Sequence, residues 1–167
     1  MSTNSLNVNA IKTKLEHFFL DIDSLILATV TNEGLPEASY TPYVKNDGHY
    51  YIFVSELASH TTHLKQSGIA SVIFLENNYK GHPHTRKRLN CTCKAAVIEQ
   101  SNPIFEATMQ QMEKKFGKLI NTLRSLNDFN LIQLSPQKGN FVAGFGKAFE
   151  VTFPLSGEIK HRKPNEL

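Results

Sequence analysis

The chain has 167 residues, 40% hydrophobic and 20% charged, with 18 Lys and Arg against 15 Asp and Glu for a net charge of +3. That size suits one domain burying roughly two-thirds of its unfolded surface, and the small charge does not by itself indicate a nucleic-acid binder. No apolar run is long enough for a membrane-spanning helix, and the start MSTNSLNVNAIKTKLEHFF lacks the parts of a secretory signal, so a soluble cytoplasmic protein is expected.

In chain order, Val8, Ile11, Leu15, Phe18, Phe19 and Ile22 recur every three or four residues and predict an amphipathic helix over 8–22. LILATVT, EASYTPYVK and HYYIFVS then predict three strands joined by hairpins at Asn32 to Pro36 and Asn46-Asp47-Gly48. Pro42 cannot donate to a ladder, which predicts an edge or a bulge there. A short helix follows over 58–66, with Ser59 as a cap and Gly68 closing it, and leads into the strand ASVIFLE.

LNCTCKAAVIE predicts a long strand at 89–99. Pro103 suits a first helical turn, and Phe105, Met109, Met112, Phe116, Leu119, Ile120 and Leu123 predict one long helix to about Ser125. Strands at 129–136 and 140–153, separated by a turn at Gln137-Lys138-Gly139, precede a basic tail with Lys160, His161, Arg162 and Lys163. No repeat, low-complexity tract or linker interrupts this order. Six or so antiparallel strands with helices interposed predict a mainly β fold with flanking helices, closed into a small barrel.

The stretch GHPHTRKRLNCTC, residues 81–93, concentrates the chemistry. His82, His84, Cys91 and Cys93 match zinc in type and number, but Cys-x-Cys within a strand lacks the tight-turn spacing of structural zinc sites, so both thiols are expected to be buried and free. In a continuing strand Arg86 and Arg88 would share a face, making a paired guanidinium clamp for carboxylate or phosphate. Its clients would be haem propionates or a flavin nucleotide phosphate. The segment from Ser55 through His60 and Thr61 to Leu64 ends a strand and opens a helix, a second place for an anion. In the tail, His161 reads either as part of a frayed terminus or as an axial ligand folded over a cofactor.

SLILATVTNEGLPEASYTPYV, FVSELASHTTHL, ASVIFLE, the Arg-x-Arg-Leu strand and DFNLIQLSPQKGNFVAGFGKAFEV together resemble the haem-utilisation proteins of the HutZ/HugZ type. These belong to the flavin-nucleotide-binding split-barrel class that includes pyridoxamine 5'-phosphate oxidases. The resemblance implies a six-stranded antiparallel split barrel over residues 1–153, a basic tail from 154 to 167 over the cofactor pocket, and a homodimer with its pockets across the interface. It implies that His161 ligates haem iron, that Asp128 hydrogen-bonds that imidazole, and that Arg88, with Arg86, faces the propionates or distal pocket. The implied activity is oxygen-dependent opening of the haem ring with iron release. The alternative is a flavin mononucleotide (FMN) oxidoreductase whose phosphate is held by Arg86, Arg88, Ser55 and Thr61, with His60 nearby, and a carrier without turnover is a third reading. Neither a nucleic acid nor a membrane is expected as partner.

Overall fold

Apolar spacing at the start of the chain produces α1 (Val8–Phe18), with Ile11, Leu15 and Phe18 buried. It is the first element of the computed structural model, which describes residues 8–155 and 158–162. The helix stops four residues short of the predicted end, and Ile22 reaches the core from the following turn.

The strands are β1 (Ser24–Val30), β2 (Pro36–Pro42), β3 (Val44–Asn46), β4 (His49–Ser55), β5 (Ile69–Leu75), β6 (Arg88–Ile98), β7 (Phe129–Val142), β8 (Ala148–Thr152) and β9 (Ile159–His161). They form one antiparallel sheet in the order β2-β1-β5-β6-β7-β4-β3, with β8 on β7 and β9 on β8. The count among the described residues is therefore nine rather than six. β2 and β3 stand at opposite ends of the main path, yet only Tyr43 separates them in sequence. The sheet must curl until its ends meet at that residue, and the fold is a split barrel. Pro42 supplies the break: it lies at the end of edge strand β2, and the buried Tyr43 donates its N–H to the Asp23 carbonyl at 3.1 Å.

Alternation along β4 fills two cores. Tyr50, Ile52 and Val54 enter the barrel, whereas Tyr51 and Phe53 join the cluster outside it. Inside, Phe74 meets Phe19, Tyr43 and Tyr50 with ring centroids 5.1, 5.0 and 4.8 Å away, and Phe18 of α1 packs on Phe141 at 5.5 Å. Tilted and edge-on contacts of this kind suit the aromatic quadrupole. Outside, α3 (Pro103–Phe116) lays Phe105, Met109 and Met112 against Tyr51 and Leu131.

Two elements differ from expectation. The predicted helix to Ser125 breaks at Gly117, whose φ of 81° is left-handed, and resumes as α4 (Leu119–Arg124), which keeps Ile120 in the outer cluster. The predicted turn at Gln137-Lys138-Gly139 is instead the middle of β7. There Thr92 pairs with Lys138 but Cys93 with Pro136, so Gln137 is an extra residue in the ladder. This bulge accommodates a proline that has no N–H to give, and it bends β7 from its pairing with β4 to its pairing with β8.

Candidate functional site

The bend carries the end of β7 and the start of β8 past the head of β6, where Arg88 pairs with Val142. Beside them β9 adds to β8, with His161 opposite Phe149 and the rings 5.2 Å apart. The result is a cavity of about 590 Å³ lined by Arg88, Lys147, Arg162 and His161, by the apolar Val142 and Ala148, and by His84 and the turn Gly144-Phe145-Gly146. A volume of this order accommodates a cofactor-sized ligand.

Each polar group here has an identifiable local support. Arg88 is half-buried, and its Nη1 donates to the Arg86 carbonyl at 3.1 Å. The backbone N–H of Arg162 donates to the Ala148 carbonyl at 2.9 Å and its Nη1 to Asn140 Oδ1 at 3.2 Å. Nε2 of His161 lies 3.2 Å from the Gly146 carbonyl oxygen. A carbonyl only accepts, so Nε2 is the donor in this contact, and Nδ1 is the nitrogen that the contact leaves for a ligand. A backbone carbonyl on the second nitrogen is a common orienting partner for a metal-ligating histidine.

The expected guanidinium pair is not formed. Arg86 precedes the strand, at the end of a 3-10 turn over Pro83–Thr85, and its Nε donates to the Glu76 carbonyl at 2.8 Å. It lines a separate crevice with Ser24, Ile26 and Tyr40, and the strand that carries Arg88 begins only two residues later. His82 and His84 are exposed on that turn, with their rings 4.9 Å apart. Cys91 and Cys93 are free and buried on the barrel side of β6 with their sulfurs 3.9 Å apart, as expected. Contact with Cys93, reinforced by burial, pushes the Cys91 thiol well above its ordinary range, so it is protonated and unreactive.

The other predicted site residues assemble in a second corner. Asp128 Oδ2 accepts from Ser55 Oγ at 2.6 Å, and the Asp128 carbonyl accepts from the Glu56 N–H at 2.7 Å. Thr61, fully buried, donates its hydroxyl to the Ser55 carbonyl at 2.6 Å. Ser59 is not the cap of α2 (Ser59–Ser67): Ala58 occupies that position, and Ser59 Oγ instead donates to the Glu37 carboxylate on β2. Within one chain, no hydrogen bond or ion pair among the described residues joins Asp128 to His161. Sequence reasoning missed Phe145, Lys147 and Arg162 as members of the first site. The tripeptide Gly-Phe-Gly was the available signal, since glycines on both sides of an aromatic ring mark a turn that displays it.

His60 lies in the second corner, where burial lowers its pKa against the opposing influence of Glu37. The unfolded chain therefore takes up a proton near its ordinary value of about 6.5 that the folded chain still refuses, so stability rises with pH across that window and is lost on acidification. Thermal unfolding followed from about pH 7.5 to about pH 5 is expected to show this decline, and His60→Gln to flatten it. An unchanged slope in the variant would remove His60 as its source.

With this geometry in view, the profile of the pyridoxamine 5'-phosphate oxidase family matches residues 11–143. Haem oxygenase HutZ of Vibrio cholerae serotype O1 is 32% identical over 143 residues, covering 85% of this chain and 81% of HutZ. A crystal structure of Vibrio cholerae HutZ, there described as a haem storage protein, superimposes with a TM-score of 0.71 at 30% identity, over 75% of this chain and 89% of that one. Campylobacter jejuni ChuZ superimposes with a TM-score of 0.85 at 30% identity, over 98% of this chain and 68% of that one.

Proposed function

The chain belongs to the pyridoxamine 5'-phosphate oxidase family, in its HutZ-type haem-utilisation branch, and from that premise we propose that it binds haem at the cavity between β6, β8 and β9 and takes part in haem breakdown for iron utilisation. The observation that carries this reading is the convergence of His161, Arg88 and Arg162 on one cavity. The donor set fits the group: an imidazole for the iron, cations for two carboxylates, and Val142 and Ala148 for the apolar ring. Haem, when bound, supplies the redox and oxygen chemistry for opening its own ring. The chain's task is to hold and orient it. His161 ligates, Arg88 with Lys147 and Arg162 neutralises the propionates, and the apolar wall keeps water from one side.

The functional unit in this reading is a homodimer working in the cytoplasm. Ile26, Tyr40 and Ile69 are exposed on the outer face of β2-β1-β5, an apolar surface that a second copy would cover. Asp128 does not meet His161 within one chain, and a bond from the Asp128 of the other copy would have to replace the contact of His161 Nε2 with the Gly146 carbonyl. Enzymatic turnover and storage both remain within this reading, and addition of a reductant and oxygen to the haem complex separates them.

FMN is the second reading, with its phosphate held by Arg86, Arg88, Ser55 and Thr61 beside His60. The hydroxyls of Ser55 and Thr61 are already donated to Asp128 and to the Ser55 carbonyl, which favours haem. Parallel titrations with haemin and FMN test the choice. Stoichiometric haemin binding is expected, weakened about tenfold in Arg88→Ala without loss of folding, as for removal of one charge-assisted contact. Tight FMN binding with a flat haemin response would overturn the haem reading, and an unchanged haemin affinity in Arg88→Ala would remove the propionate role.

A further inference from the structure

Resting on the haem reading above, we propose that Phe145 is an aromatic lid that closes over one face of the bound macrocycle. The residue is 83% exposed, more than any other Phe or Tyr among the described residues, and it lines the cavity that contains His161 and Arg88. Nearby Phe141 and Phe149, in contrast, are buried. Leaving a phenyl ring in water forgoes its hydrophobic stabilisation. A planar apolar ligand laid against it recovers that loss.

The local backbone is shaped to display the ring. Gly144 and Gly146 have φ of 137° and 67°, in the region glycine adopts without strain, and nothing lies within 4 Å of where a Cβ would stand on either. Ala143 N–H donates to the Lys147 carbonyl at 2.8 Å and Lys147 N–H to the Gly144 carbonyl at 3.1 Å, which closes the turn beneath Phe145 and leaves the ring at its tip. The Gly146 carbonyl also accepts from His161 Nε2. The turn that carries the ring is thus tied to the proposed iron ligand, and Lys147 and Arg162 flank both. These features suit a ligand that joins a flat apolar face to anionic groups, as a porphyrin does. Stacking by a phenyl ring does not depend on the central metal. The lid should therefore grip a metal-free porphyrin as well as haem, whereas His161 should matter chiefly for the latter.

The test is titration of haemin and of metal-free protoporphyrin IX, followed by absorbance and by porphyrin fluorescence, against the full chain, Phe145→Ala, Phe145→Tyr and His161→Ala. Phe145→Ala is expected to weaken both porphyrins about tenfold, as an aromatic contact plus its covered area implies, and Phe145→Tyr to retain wild-type affinity. His161→Ala is expected to weaken haemin far more than the metal-free porphyrin, which loses only the support of the Gly146 contact. Should Phe145→Ala bind the metal-free porphyrin as the wild type does, or lose affinity for haemin only, while haemin binding still depends on His161, the lid is overturned and the haem reading stands. No saturable binding of either porphyrin by the wild type overturns both.

Discussion

Replacing His161 with alanine is expected to weaken haemin binding by more than about 100-fold and to change the position and intensity of the Soret band, because loss of a ligand exceeds the 10- to 100-fold cost typical of losing a ligand's orienting partner. The side chain is half-buried, and its strand adds at the margin of β8, so alanine removes a ring contact with Phe149 and one hydrogen bond but no core residue. An intact unfolding transition in the variant would confirm that the loss is local. His84 provides the control, since it is the other imidazole at this cavity. An unaltered Soret band in His161→Ala together with a lost one in His84→Ala would move the ligand to the loop. An unaltered band in both would leave the chain's histidines at this cavity without a role in ligation.

Much of the architecture was legible because it follows from local pattern. The spacing of Ile11, Leu15 and Phe18, the Asn46-Asp47-Gly48 turn, the Gly68 cap and Pro103 at the start of α3 each have a mechanism that acts within a few residues. Gly68 adopts φ 67° and its N–H donates to the Leu64 carbonyl at 3.0 Å, as the predicted cap requires. Pro42 was legible as an interruption, but that it lies where the two ends of a curled sheet join is a property of the whole sheet.

The cavity proposed as the site was legible in part. Arg88 and His161 were identified as individuals, yet their neighbours Lys147, Arg162 and Phe145 are brought in by the β7-β8 turn and the addition of β9, which are tertiary events. Alternation would have put Arg86 beside Arg88 only in a continuous strand, and the 3-10 turn at Pro83–Thr85 ends too late for that. The Ser55–Asp128 bond, spanning 73 residues, has no sequence signature at all.

The same contrast between local and tertiary reasoning gives the second large effect. Gly139→Ala is expected to destabilise the protein by about 3 kcal/mol or more, lowering the melting temperature by roughly 10 °C in a chain of this size. A Cβ at this position would stand 2.6 Å from the Asn90 carbonyl oxygen, 2.9 Å from Cys91 Cβ and 3.3 Å from Leu89 Cδ1. The first two contacts are with groups fixed in the centre of the sheet, so neither can move aside cheaply. Gly34 makes the comparison decisive. It sits in the β1-β2 turn at φ 80° with open space where its Cβ would be, and its replacement by alanine is expected to cost only about 1 kcal/mol of backbone strain. If residues 137–139 formed a turn, as local composition suggests, Gly139→Ala would resemble Gly34→Ala in a thermal melt. A several-fold larger loss instead identifies Gly139 as a point where β6 leaves no room for a side chain on β7. Gly139 lies in the same run of pairs that places Val142 opposite Arg88, so a variant that survives folding is also expected to bind haemin more weakly than Gly34→Ala does.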